Sequence, residues 1–154
     1  MTLRDIELKL VWYFNPFRNV IVPNLKDGVF SDMHECDLLV LHPTGYATEV
    51  EIKLSKSDIL RDKKKAHGHS HPYIRRLFFA VPEKLKDYAL KHIPERAGLI
   101  VVREKKKLCG GYCKIVRYPK PNRKARKWTE KHRAKLLQLM QIRYWKLKNN
   151  LKER

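Results

Sequence analysis

The sequence predicts an α/β fold, in which helices flank a central β-sheet and a basic helix follows at the C-terminus. Segments with strand and helix patterns alternate along the chain, which is the order of an α/β domain. The continuous apolar runs LFFAV (77–81) and GLIVV (98–102) are typical of strands that are buried on both faces. The 154 residues suffice for one sizeable core. We expect that core over residues 1–118 and a basic extension over 119–154, where the composition changes.

The first part of the chain should form one helix and three strands. Apolar residues at helical spacing predict a helix over 3–14, which Thr2 can cap. The segment NVIVP (19–23) is a short strand candidate. Two further strands, over 38–41 and 48–54, are joined by the turn sequence HPTG, which predicts a β-hairpin.

The later part should place helices between strands. Ser55 or Ser57 can cap a helix that runs through Asp62, and a second helix over 84–92 separates the two apolar runs. Because strands connected through helices usually pair in parallel, these late strands should be parallel neighbours. A Gly-Gly turn then leads into a strand over 112–118.

The C-terminal extension should consist of a basic, loop-like segment followed by a helix over 129–151. An apolar stripe on this helix could supply a homodimer interface. The stripe consists of Leu136, Met140, Tyr144, Leu147 and Leu151. We also expect Trp145 to pack this helix onto the core.

The chain carries an unusually large positive charge, with 35 Lys and Arg against 16 Asp and Glu and a formal net charge of +19. An excess of this size favours a polyanionic partner, because cationic side chains placed against phosphates release condensed counterions. Nucleic acid is therefore the expected partner. A negatively charged membrane surface is less favoured, and a basic surface kept only for solubility rarely needs so strong an excess.

Three cysteines and the absence of a signal-peptide pattern predict a reduced, cytoplasmic protein. No apolar run approaches the roughly 20 residues that cross a bilayer, so we expect a soluble protein with no membrane partner. Cys109 and Cys113 flank a turn and could bind zinc only with two further ligands. The more ordinary interpretation of the two is cross-strand thiols.

Three histidines alternate in the segment AHGHSHPY, at His67, His69 and His71. This spacing could provide a transition-metal site or a proton shuttle. A polar loop whose histidines face phosphate is the preferred interpretation.

Charged residues alternate with apolar ones on the strand that follows the hairpin. Because successive side chains point to opposite faces, Glu49, Glu51 and Lys53 should share one face while the residues between them enter the core. If Asp37 pairs directly with Glu51 across the hairpin, their Cβ atoms lie about 5 Å apart. These charges could lie on a solvent-facing surface as ordinary ion pairs. The buried strands later in the chain instead indicate a covered sheet, on which charges are costly without a metal or substrate.

This set of residue types fits metal-dependent phosphodiester hydrolysis. Asp37 and Glu51 would supply hard oxygen ligands to Mg²⁺, with Mn²⁺ able to substitute, and the backbone carbonyl of Ile52 could complete the coordination. Lys53 would position or help to deprotonate the attacking water and stabilise charge on the phosphate. Glu49 would bind a second metal or only shape the local field.

The order of these residues resembles the signature of the PD-(D/E)xK nuclease superfamily: an acid, Asp37, begins one strand, and Glu51-Ile52-Lys53 follows on the next. The run VEIKLSKSDILRDKKK, with LFFAVP and GLIVV after it, is similar to the MmcB-like DNA repair nucleases within that superfamily. The resemblance covers about residues 3–103. It implies a restriction-endonuclease-like core with a mixed sheet, dependence on a divalent metal and action on DNA.

The resemblance also implies roles for individual residues. Asp37 and Glu51 match the metal-binding acids, and Lys53 matches the catalytic lysine. Glu7, on the first helix, matches an additional acid by position alone. Cys36 stands where the signature has proline, a position that is often replaced. Two further acids, Asp58 and Asp62, also have counterparts, and the alternative is that they only cap or order their helix.

Basic residues that could contact DNA fall near the proposed centre and in the C-terminal segment. They are Arg61, Lys63, Lys64, Lys65, Arg75, Arg76, Arg123, Lys124, Arg126 and Lys127. Trp128 could stack on an exposed base, with packing on the core as the alternative. We predict a Mg²⁺-dependent DNA endonuclease that acts in repair, recombination or the processing of mobile-element DNA. The alternative is a non-catalytic nucleic-acid-binding protein on the same scaffold.

Overall fold

The computed structural model describes residues 1–26, 34–62, 71–107 and 111–152. Within these ranges the secondary-structure elements follow the predicted alternation. Their bounds are α1 Leu3–Tyr13, β1 Val20–Leu25, β2 Cys36–Leu41, β3 Ala47–Ile52, α2 Lys56–Asp62, β4 Ile74–Pro82, a 3₁₀ turn Glu83–Leu85, α3 Lys86–His92, β5 Gly98–Lys107, β6 Gly111–Arg117 and α4 Glu130–Lys152.

The described strands form one six-stranded sheet in the order β1-β2-β3-β4-β5-β6. The pairs β1/β2, β2/β3 and β5/β6 are antiparallel, whereas β3/β4 and β4/β5 are parallel. Helical connections precede both parallel partners, because α2 leads into β4 and α3 leads into β5. The predicted α/β fold with a mixed sheet, flanking helices and a C-terminal helix is therefore confirmed.

Local sequence signals determine where α1 begins and how β2 turns into β3. Thr2 caps α1 in a capping box, since its hydroxyl accepts the Asp5 N–H at 3.2 Å and its own N–H donates to the Asp5 carboxylate at 2.7 Å. At the β2–β3 hairpin, Gly45 has a φ of +83°, a conformation that costs glycine little. The turn is closed by the Gly45 N–H, which donates to the His42 carbonyl at 3.0 Å.

Helices cover the two faces of the sheet unequally. The α1 face packs Ile6 and Leu10 of α1 against β2 to β6. The opposite face carries two apolar clusters, one with Leu136 of α4 and one with Ile59 of α2 and Ala89 of α3. The side chains of β3 that lie between these two clusters are charged, and they form the candidate site.

The C-terminal extension packs onto the core through its first part. Trp128 and Leu136 are buried beside β1 and β2, and the Arg143 guanidinium donates to the carbonyls of Pro23 and Asn24, the latter at 2.8 Å. Only the first half of the predicted apolar stripe lies on the core, since its last members are exposed: Tyr144, Leu147 and Leu151.

The expectation for Trp145 is wrong, because 57% of its surface is exposed. Trp128 makes the tryptophan contact with the core instead. Among the described helices, none combines the length and the apolar composition that a membrane span requires, and α4 carries charged residues along its length.

Candidate active site

Three charged side chains, two on β3 and one directly after it, lie under the helices on the face opposite α1. Glu49, Glu51 and Lys53 expose only 0%, 1% and 7% of their surfaces. The parallel register places Leu77 and Phe79, members of the cluster under α2 and α3, beside the two glutamates. The prediction of a charged, covered face is therefore confirmed, and the alternative of a solvent-facing pair of strands is wrong.

Lys53 is held between two buried carboxylates. Its Nζ donates to Glu51 Oε2 at 2.6 Å and lies 2.8 Å from Asp62 Oδ1. Burial lowers the pKa of Lys53, but the charges and hydrogen bonds of Glu51 and Asp62 outweigh burial and raise this pKa above its ordinary value. The side chain is consequently an ammonium at neutral pH.

Asp62 is a site residue that the sequence reasoning did not assign. Asp58, on the same helix, is placed differently. Its carboxylate accepts a hydrogen bond from the Arg61 guanidinium and stays near the surface. Ile59 and Asp62 are three residues apart and both are buried on one face of α2, which only the packing of this helix decides. A carboxylate beside a buried apolar residue points at the sheet and not at solvent.

Asp37 reaches across from β2 to the end of β3. The antiparallel register pairs Leu38 with Val50, which puts Asp37 opposite Glu51, as predicted from the hairpin. The Ile52 N–H donates to Asp37 Oδ2 at 2.8 Å. Asp37, Glu51 and Lys53 are thus gathered at one end of β3, with the Asp37 carboxylate oriented by the β3 backbone.

A histidine that the sequence reasoning missed contacts Glu49. His34 Nε2 lies 2.9 Å from Glu49 Oε1, and the His34 ring is 5.8 Å from the buried His71 ring. The proposed trio of histidines has only His71 inside the described ranges, because His67 and His69 lie outside them. His71 lies in the loop before β4 and its side chain is buried, with 8% of its surface exposed.

The Cys36 thiol lies in the negative field of this cluster. Burial raises the pKa of Cys36, and the charges of Glu49, Glu51, Asp37 and Glu35 raise it further. Four carboxylates therefore act on one thiol, at the position where the resembled signature has proline. Cys36 and Cys113 are both free. The other cysteine of the predicted turn pair, Cys109, lies outside the described residues.

The charged cluster offers carboxylate oxygens to a metal ion. In the described part of the chain, no group of three or more His, Cys, Asp or Glu residues is arranged to hold a metal ion. Asp37 and Glu51 nonetheless fit Mg²⁺ in kind, because this ion takes one or two carboxylates and keeps several waters. Glu7 lies on α1, where its Oε1 accepts a hydrogen bond from the Asn24 side-chain amide at 3.2 Å. The β1/β2 register places Asn24 opposite Asp37.

The C-terminal basic segment is attached to the hairpin and to the start of β4. The N–H groups of Asn122, Arg126 and Trp128 donate to the carbonyls of Arg75, Pro72 and Gly45 at 2.7 to 2.8 Å. This attachment creates a basic strip, which consists of Arg75, Arg123, Lys124, Arg126 and Lys127. Within it, Arg75 and Lys127 lie 4.1 and 5.3 Å from the Tyr46 ring centre.

The other predicted DNA contacts are distributed differently. Arg61 is exposed and pairs with Asp58. Arg76 lies on the α1 face, because it pairs with Thr48 and shares one face of β4 with Phe78, on the side opposite Leu77. The predicted contacts Lys63, Lys64 and Lys65 lie outside the described residues.

Burial of Trp128 is at odds with its predicted stacking on a base. Only 7% of its surface is exposed, and its indole N–H donates to the Tyr73 carbonyl at 2.9 Å. The ring packs against Tyr73 and His132, each in an edge-on arrangement. Trp128 therefore secures the basic strip to the core.

Comparisons with known proteins give a structural neighbour and no family. No protein-family model matches the chain, and no curated protein does. The solved structure of SPO1766, a protein of unknown function from Silicibacter pomeroyi, is similar, with a TM-score of 0.62. The two chains are 19% identical over 96% of this chain and 88% of that one. At this identity the likeness shows a shared fold and no activity.

Proposed function

We propose that this protein is a metal-dependent DNA endonuclease of the PD-(D/E)xK type. The observation that carries the proposal is the gathering of Asp37, Glu51 and Lys53 at one end of a buried strand. Burying charges is costly, so a cluster of this kind is more often kept for chemistry than for stability. The spacing of the three residues in the sequence is that of the resembled signature.

Each residue would have a distinct role in hydrolysis. Asp37 and Glu51 would hold Mg²⁺ or Mn²⁺, and the bound ion would supply Lewis-acid stabilisation of the phosphate and a more acidic water. Lys53 would stabilise negative charge on the phosphate as an ammonium. Its alternative role is to position or help to deprotonate the attacking water. Asp62 would act as a positioning residue, because it holds the Lys53 ammonium.

Nucleic acid is the substrate class that the charge supports. The net charge of +19 is accompanied by the exposed basic strip, which runs beside the hairpin. Phosphate contacts from such a strip would provide affinity without sequence preference. The rival function, a nucleic-acid-binding protein that has lost cleavage, would use the same strip and would not depend on Lys53.

Two further parts of the proposal concern the cellular compartment and the oligomeric state of the protein. The free thiols Cys36 and Cys113 suit a reducing, cytoplasmic compartment. A homodimer would use the exposed apolar residues of the second half of α4, and light scattering of the wild type and Leu147→Ser would test it. These exposed residues are Tyr144, Trp145, Leu147 and Leu151.

Cleavage of supercoiled plasmid would test the nuclease proposal. We expect nicking and linearisation with Mg²⁺ or Mn²⁺ and none with EDTA. Glu51→Ala and Lys53→Ala should each lower the rate by about 10² to 10³, the usual cost of losing an electrostatic stabiliser. Lys120→Ala is the matched control, because Lys120 also pairs with a carboxylate, at 2.9 Å, but on the surface. Circular dichroism of each variant would confirm that it is folded.

The outcomes separate the two functions. Cleavage that both site variants lose while DNA affinity is retained would support the nuclease. Tight, salt-sensitive binding without cleavage of plasmid, branched or single-stranded DNA would favour the binding protein. Cleavage that persists in folded Lys53→Ala would refute the assignment of the site.

A further inference from the structure

A surface pocket lies on the α1 face of the sheet, away from the candidate active site. Its volume is about 610 Å³. Its walls come from the end of α1, the segment that leads from α1 to β1, the residue after β2, parts of β3, β4 and β6, and the segment that follows β6. The Thr48 and Phe78 side chains line it, so the sheet separates it from the neighbouring Glu49 and Glu51.

The floor of this pocket is a chain of hydrogen bonds around His42. The Asn19 side-chain amide donates to the Phe14 carbonyl at 2.6 Å, which leaves its oxygen facing His42 Nδ1 at 3.1 Å. His42 Nε2 lies 2.9 Å from the Thr48 hydroxyl. A neutral imidazole satisfies both contacts, because Nδ1–H donates to Asn19 and Nε2 accepts from Thr48.

Two arginines supply positive charge above this neutral floor. Burial lowers the pKa of His42, and the charges of Arg76 and Arg18 lower it further, so both guanidinium groups act on the same ring. Arg18 and Arg76 are exposed, and neither forms an ion pair with any carboxylate in the described ranges. A pair of arginines in this arrangement attracts an anion, and a guanidinium matches phosphate oxygens well.

Aromatic side chains surround the two arginines. Tyr13 and Tyr118 line the pocket, and 77% of the Tyr118 surface is exposed. Trp12 and Phe17 lie beside it in the sequence, with exposed rings 6.1 Å apart. Exposed aromatic rings next to cationic side chains are the combination by which proteins bind single strands, because bases stack on the rings while arginines contact the backbone.

The chain leads from the pocket into the basic strip. Pro119 and Pro121 line the pocket, and the chain then runs directly into the strip at residues 123–127. A strand that follows the strip would therefore reach the pocket without leaving the protein surface.

We propose that this pocket binds an unpaired nucleotide of a nucleic-acid strand, with its phosphate between Arg18 and Arg76 and its base against Tyr13 or Tyr118. The inference rests on the nucleic-acid part of the proposed function and is independent of cleavage. It makes single-stranded or partly unpaired nucleic acid the preferred partner.

Fluorescence anisotropy in EDTA would test the pocket without any contribution from cleavage. The probes are a labelled oligothymidylate of about ten nucleotides, its oligouridylate counterpart and a duplex of the same length. Arg18→Gln/Arg76→Gln should weaken single-strand binding about tenfold or more and reduce the salt slope by about 0.7, the value for one phosphate on a single strand. Tyr118→Ala should weaken it with little change in slope. Thymidylate and uridylate strands should bind equally well, because the proposed contacts involve the phosphate and the base and not the sugar.

The matched control is Lys91→Gln/Lys114→Gln, which removes the same charge from exposed positions on α3 and β6. If this control weakens single-strand binding as much as the arginine variant does, only long-range charge is involved and the pocket is refuted. Unchanged single-strand affinity in the arginine variant would refute it as well.

A direct probe separates failure of this inference from failure of the proposed function. Thymidine 5′-monophosphate at millimolar concentration should shift the NMR signals of His42 in the wild type and not in Arg18→Gln/Arg76→Gln. If plasmid is cleaved but neither the mononucleotide nor the single strand binds at this pocket, the inference is wrong and the nuclease proposal stands. If the mononucleotide binds but plasmid is not cleaved, the pocket stands and the nuclease proposal fails.

Discussion

Replacement of Lys53 by methionine removes the ammonium that the structure places between Glu51 and Asp62. Methionine keeps most of the length and apolar volume of the side chain, so the change mainly deletes the ammonium. The side chains of Lys53, Glu51 and Asp62 expose 8%, 1% and 4% of their surfaces, and water therefore replaces little of what is lost.

The expected loss of stability follows from this burial. Removing one partner of a buried ion pair typically costs about 3–5 kcal/mol, because the remaining charge stays in a poorly solvated place. Whole domains are stable by only about 5–15 kcal/mol, so Lys53→Met should weaken the protein severely. With a denaturant slope of about 2 kcal/mol per molar, the urea midpoint should fall by roughly 2 M.

Urea unfolding followed by circular dichroism would measure this loss at neutral pH. Lys120→Met is the control, since Lys120 pairs with Glu95 at 2.9 Å but its side chain is 68% exposed. This control should lose less than about 1 kcal/mol. The double variant Glu51→Gln/Lys53→Met should lose less than the sum of its single variants, because the two groups interact directly.

A loss below about 1 kcal/mol in Lys53→Met would refute the reasoning, because it would mean that water solvates the two carboxylates as it does at the surface. Strict additivity in the double variant would refute the direct contact between Lys53 and Glu51. Either result would also weaken the assignment of Lys53 to the active site.

Three further predictions concern thiols, a histidine and a glycine. Burial raises the pKa of Cys113 to about 11 and also raises that of Cys36. At pH 8, both thiols should therefore be alkylated at least ten times more slowly in the native protein than in urea. Mass spectrometry would measure the rate at each position. Burial and the nearby arginines lower the pKa of His42, so its NMR titration should fall below the ordinary value of about 6.5. Stability contributed by this neutral ring is present above that ordinary value and is lost as the pH falls through the lowered pKa, and His42→Gln should flatten this part of the pH–stability curve. A Cβ on Gly98 would lie 2.5 Å from the Phe78 ring, so Gly98→Ala should cost about 1–3 kcal/mol in urea unfolding, and Phe78→Leu in the same chain should recover part of it.

Each of these predictions has a result that contradicts it. Fast native alkylation would show that the thiols are accessible. A His42 titration at or above the ordinary value would contradict the effect assigned to burial and the arginines. A neutral Gly98→Ala variant would show that the Phe78 ring can move aside at no cost.

Much of the fold was predictable because its contacts are local in sequence. Every pair of neighbouring strands in the described sheet is also consecutive in the chain. Hairpin turns and helical connections, which have clear sequence signals, therefore determine the strand order. The same alternation rule placed Glu49, Glu51 and Lys53 on one face, since it needs only the strand itself.

The prediction was less complete where two elements far apart in the chain must meet. The Lys53–Asp62 contact depends on how α2 rotates against the sheet, which the packing of Ile59 decides. The exchange of roles between Trp128 and Trp145 depends on where the last helix leaves the core. Neither the rotation of α2 nor the place where α4 leaves the core is encoded in a local sequence pattern.

The sequence by itself determined the alternating elements, the charged strand, the basic excess and the turn that pairs Asp37 with Glu51, because propensity, period and turn chemistry act over a few residues. Tertiary structure alone decided that Asp62 and His34 join this strand. It likewise decided that Arg18 and Arg76, which are far apart in the chain, line one pocket together with His42. Side chains from distant segments meet only when the packing of the core fixes the position and rotation of each element, and this packing depends on the whole chain at once.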